Sequence, residues 1–185
     1  MSKYSTTAVI TAFTVLAFSN AGFGRDDVHT SQLAPLSLSL ADSTWDGKKV
    51  PEGQQCLKFG GHGQTPRIEV KGIPKETEAL IFEYSDHNYR PNDHGGHGKI
   101  GYYLQGKNTY SITVPSIEGN SFDLPDGFFL VEKHRGKGWD KEGAYMPPCS
   151  GGNGHNYYVT VKAVSDMKKT SYRLLGESRL EMGVY

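Results

Sequence analysis

The sequence predicts a mostly β protein, an antiparallel β-sandwich with one short C-terminal helix, and three observations carry that expectation. Short apolar runs alternate with polar residues, as in Leu36-Ser-Leu-Ser-Leu40 and Arg67-Ile-Glu-Val70, the pattern of strands with one buried face. The 23 glycines, 9 prolines and 11 tyrosines among 185 residues suit many short strands joined by turns rather than long helices. Only residues 168–180 carry helical spacing, through Tyr172, Leu175 and Arg179.

The chain begins with a segment that does not read as part of the fold. Lys3 precedes an apolar stretch at residues 8–18, too short to span a bilayer with ease. Ser19 and Ala21 then supply the small residues of a cleavage site, so residues 1–21 read as a secretory signal peptide, with a retained anchor as the alternative. Residues 22–35 are polar and irregular, a flexible leader. One domain is expected over 36–185.

Within it, strands are expected at residues 36–40, 67–70, 79–84, 99–104, 110–114, 127–131 and from 155 onward. The continuous apolar run Ala79-Leu-Ile-Phe-Glu-Tyr84 marks the central one. Formal charge is zero, with 20 basic and 20 acidic residues. That gives no reason to expect nucleic acid or an anionic membrane as a bulk partner, and any affinity for anions must be local. Export places Cys56 and Cys149 in an oxidising compartment, where a single bridge is favoured over two free thiols.

The stretch from Tyr145 to Val161 concentrates the functional signals. Pro147 and Pro148 would form a stiff, extended rim, and Gly151, Gly152 and Gly154 then let the chain turn sharply. His155 and Tyr157 share one face of the following strand. Three polar loops, residues 60–66, 85–98 and 145–155, each flank a strong strand. If those strands are neighbours, Asp86, His97, His155 and Tyr157 converge on one pocket. Two imidazoles and a phenol can donate to a small anion, and Asp86 would favour the charged imidazolium and fix its tautomer. The plain alternative is that His155 is a satisfied structural residue.

In this order the segments resemble the phosphatidylethanolamine-binding protein family, also called Raf kinase inhibitor-like, and within it the small bacterial branch. The resemblance rests on Asp46-Gly-Lys-Lys-Val-Pro51, Thr65-Pro66, Gly72-Ile-Pro74 and the apolar strand ending in Ser85-Asp86. Asp86 and His97 fall where the first family signature has its Asp and His. Tyr145, Pro147, Pro148, His155 and Tyr157 match the second, and residues 173–185 look like the family's closing segment. The chain departs from the pattern at His87, Asn88 and Arg90, at Gly98, which stands in place of an aromatic, and in lacking most of the helix between Val164 and Tyr172.

The resemblance implies an exported, non-catalytic binding protein, periplasmic or secreted, needing no cofactor. Its expected ligand is a small phosphorylated or anionic group such as a phospholipid headgroup, held by Asp86, His97, Tyr145, Pro147, Pro148, His155 and Tyr157, with modulation of a partner protein as a further role. Two rival readings stand beside it. Asp86, His87, Asp93, His94 and His97 lie within twelve residues, and His94/His97 has ligand-like spacing, so this loop could hold a metal ion. A hydrolase would use His97 or His155 as base, although no Gly-x-Ser-x-Gly elbow is present.

Overall fold

The protein is described by a computed structural model covering Met1 and residues 33–106, 109–168 and 171–185. The expected signal peptide and most of the expected leader lie outside the described residues. Among the described residues eight strands follow one another: β1 (Ser37–Leu40), β2 (Ile68–Lys71), β3 (Ala79–Asp86), β4 (Gly98–Tyr103), β5 (Ser111–Val114), β6 (Phe128–Glu132), β7 (Asn156–Lys168) and β8 (Ser171–Val184). They build two antiparallel sheets, a small one ordered β1-β2-β5 and a large one ordered β6-β4-β3-β7-β8.

Hydrophobic burial explains why β3 takes the centre. Leu80, Phe82 and Tyr84 point into the main core, where they meet Ile68, Val70 and Val114 of the small sheet and Val159 and Val161 of β7. Ala79 and Ile81 point the other way, into a second cluster with Val164, Phe129, Met167 and Leu174. A strand buried on both faces reads as a continuous apolar run, as this one does. Each fully buried large side chain contributes about 2 kcal/mol by transfer from water.

The expected C-terminal helix is absent, and a long hairpin replaces it. β8 pairs with β7 from Asn156↔Val184 to Lys168↔Ser171. Within it Ser178, Leu180 and Met182 follow a period of two: Leu180 and Met182 enter the core, and the Ser178 hydroxyl accepts the Leu36 N–H at 2.9 Å. That alternation outweighs three residues at helical spacing. Gly176, pressed on its other side by the Ala34 carbonyl, which would lie 2.5 Å from any Cβ there, costs a helix but suits a close strand contact. Ala34 is itself held, its N–H donating to the Leu175 carbonyl at 3.0 Å. Among the described residues the helical segments are two 3₁₀ turns, Leu57–Phe59 and Arg90–Asn92.

Candidate functional site

Strand pairing brings two of the three polar loops together. β3 and β7 are neighbours with Asp86 opposite Tyr157, so the loop leaving β3 and the loop entering β7 meet at one end of the large sheet. A Cys56–Cys149 disulfide ties in the segment that precedes the 60–66 loop. There the protein has a cavity of about 430 Å³, lined by Asp86, Tyr89 and Asn92, by His97, by the 135–139 segment, and by Cys149, Ser150, Asn153 and His155.

Asp86 is 3% exposed, and a carboxylate that dry must be partnered. One oxygen accepts the His155 Nδ1–H at 2.7 Å and the other the backbone N–H of Asn88 at 2.9 Å. His155 is thereby fixed in tautomer and orientation, and none of the described residues takes its Nε2.

His97 behaves differently from the expectation. Its Nδ1–H donates to the Met146 carbonyl at 2.6 Å, and its ring stands edge-on to Tyr157 at 5.3 Å. Burial depresses its pKa to about 4, against the opposing pulls of the Met146 carbonyl and the Asp86 charge. Desolvation outweighs the carboxylate, so His97 is neutral near pH 7 and offers a lone pair at Nε2 rather than a proton. The imidazolium pair expected from the sequence is therefore not formed at this position.

The remaining sequence-derived candidates sit behind the cavity wall. The Tyr157 hydroxyl accepts the Cys149 N–H at 3.1 Å, and burial pushes its phenol up, keeping it neutral. Tyr145 belongs to the main core, its ring 4.8 Å from that of Tyr84. Pro147 and Pro148 are buried rather than forming an exposed rim. Pro147 packs so closely on Gly63 and Gly119 that a Cβ at either glycine would fall within 2.7 Å of it, and the Pro148 carbonyl accepts the Cys56 N–H at 3.0 Å. Pro147 fastens the 60–66 loop to the site, and Pro148 fastens the segment before it.

The acidic and histidine-rich loop does not gather ligands. Asp93 accepts the Tyr158 hydroxyl, and His94 is exposed with its Nε2 3.6 Å from Asp93. Among the described residues the one cluster of three His, Cys, Asp or Glu with ligand atoms close together is Cys56, Asp140 and Cys149, and both its sulfurs are consumed in the disulfide.

The segment missed from sequence is 135–139. Arg135 donates to Glu132 at 2.8 Å and to the Asp93 carbonyl at 3.2 Å, bracing two loops, and it holds the Glu132 carboxyl down at about 2. Trp139 donates to the Cys149 carbonyl at 3.1 Å while the Lys58 ammonium lies 3.2 Å from the centre of its ring, a cation–π contact. The one available signal was the charge density of residues 132–144, which lacks periodicity.

No family model matches the chain, and no curated protein matches it. Among solved structures it is similar to a protein of Chlamydia trachomatis described as a phosphatidylethanolamine-binding protein homologue, at 15% identity, covering 82% of this chain and 97% of that one, with a TM-score of 0.45.

Proposed function

We propose that this chain is an exported binding protein whose cavity takes a small oxyanion, free or as the phosphorylated head of a larger molecule. The observation that carries the reading is His155, locked by Asp86 at 2.7 Å in the wall of the cavity, whose imidazolium form would present Nε2–H to the anion. Lys137 and Arg135 line the same space; Arg135 is paired with Glu132, and Lys137 supplies local positive charge on a chain of zero formal charge. Charge-assisted hydrogen bonds in a partly dry site are the strong kind.

The reading is of a non-catalytic protein. Ser150, the hydroxyl nearest to a nucleophile in the cavity wall, is spent on the Tyr185 carbonyl at 2.5 Å. The disulfide supports export, since such bridges persist in oxidising compartments.

Calorimetric titration with inorganic phosphate and with phosphoethanolamine tests the proposal. Removing one charge-assisted hydrogen bond costs about 1.5–3 kcal/mol, so His155→Ala should bind at least ten-fold more weakly. Equal affinities would exclude this site. Phosphoester turnover by the pure protein that is lost in His155→Ala would replace the binding reading with a hydrolytic one, Asp86–His155 acting as the general base.

A further inference from the structure

Two buried histidine nitrogens, one of them on a ring that lines the cavity, have no hydrogen-bond partner among the described residues. His97 is 2% exposed and His134 4% exposed. Nε2 of the first and Nδ1 of the second have no hydrogen-bond partner among the described residues. Buried polar atoms are satisfied in the great majority of cases, so each exception asks for a cause.

The two rings share one side of the sheet. β4 and β6 pair with Lys99 opposite Glu132, and the Arg135 N–H donates to the Gly96 carbonyl at 2.8 Å. The same register therefore runs on past the strand ends and sets His97 opposite His134. Residues directly opposite in an antiparallel pair have Cβ atoms about 5 Å apart on the same face.

The other nitrogen of each ring is held by a backbone carbonyl: His97 Nδ1 by Met146 at 2.6 Å, His134 Nε2 by Lys141 at 3.2 Å. Each carbonyl fixes the tautomer that leaves the free nitrogen as a lone pair. This is the outer-shell arrangement of metal-binding imidazoles.

A third donor stands alongside. Met146 is fully buried and packs directly against Gly136. A Cβ on Gly136 would lie 2.6 Å from Met146 Sδ and 3.4 Å from His134 Nδ1, so both atoms border the same point.

We propose that His97, His134 and Met146 form a buried site for a soft monovalent metal ion, copper(I). The donor set is two neutral imidazoles and a thioether, with no carboxylate or thiolate among them. Thioether selects copper(I), whereas zinc structural sites use four ligands, commonly thiolates. Asp86 is already engaged by His155 and Asn88, so it is not a fourth ligand. The loop cluster of Asp86, His87, Asp93 and His94 plays no part.

Anaerobic titration of the purified chain with copper(I), buffered by a chelator of known affinity, tests the site. One equivalent should bind, and Met146→Leu and His134→Gln should each weaken it at least ten-fold. Met146→Leu conserves core volume and is expected to fold. His155→Ala should leave copper binding unchanged, which separates this site from the anion reading. On wild-type protein, silver(I) as a redox-inert probe should shift the ring nitrogen resonances of both His97 and His134 in nitrogen-15 spectra. No bound equivalent, unchanged affinity in Met146→Leu, loss of binding in His155→Ala, or silent ring nitrogens would each overturn the proposal.

Discussion

Two histidines of one cavity are held differently, and burial sets the character of the deeper one. His155, partly exposed, is held through Nδ1 by Asp86 at 2.7 Å. His97, buried among Tyr157, Met146 and the sheet, is depressed to about 4. Between that value and the ordinary value of 6.5, the unfolded chain holds a proton on this ring that the folded one does not. The apo protein therefore loses stability as pH falls from about 6.5 toward 4, by a few kcal/mol on the order of 1.4 per pKa unit. His134 is also depressed by burial and adds to the same slope. His97→Asn keeps a donor for the Met146 carbonyl but cannot titrate, so its melting temperature should fall less steeply across that window. A variant as pH-sensitive as wild type would mean that His97 does not carry the slope. The sequence placed the ring near Asp86 but could not weigh the Asp86 charge against burial, because burial is a property of the assembled loops.

At the scale of elements, the apolar patterning was enough to find seven of the eight strands among the described residues, and β8 was missed. There, a bulge at Ala163/Val164 breaks the alternation, and three residues at helical spacing suggested a helix that does not form. The Gly98 departure from the family pattern also gains a physical cause. Its φ is 124°, and a Cβ there would meet the Ala144 carbonyl oxygen at 2.2 Å. The chain of the site loop fills the place where an aromatic side chain was expected. Gly98→Ala should then cost about 2 kcal/mol or more through strain and clash, measurable as a lower urea midpoint. The disulfide acts between elements. Its cysteines are 93 residues apart, and closing so long a loop stabilises by roughly 4–5 kcal/mol in the chain-entropy model. Cys56→Ala with Cys149→Ala should lower the urea midpoint accordingly, and reductant should then have no further effect.

The whole molecule shows how a sheet order assembles a site from distant sequence. Asp86 and His155 are separated by 69 residues and meet because β3 pairs with β7. That pairing is non-local, and no window of the sequence contains it. The sequence offered the convergence of Asp86, His97, His155 and Tyr157 only on the condition that the strands flanking their loops were neighbours, a condition periodicity could not supply. Motif order did not supply the segment at 135–139, nor the interior positions of Tyr145, Pro147 and Pro148, since it says nothing of which side of a wall a residue occupies. A ligand that binds only the folded state stabilises it by about 2.7 kcal/mol at one hundred times its dissociation constant. Saturating phosphate should therefore raise the melting temperature of wild type and leave His155→Ala nearly unchanged.

Calorimetric titration of phosphate into wild type and His155→Ala asks whether His155, held by Asp86, anchors an oxyanion site. Wild type should show saturable one-to-one binding, and the variant at least a ten-fold loss. Equal affinity in both proteins, or no binding by wild type, would contradict that role.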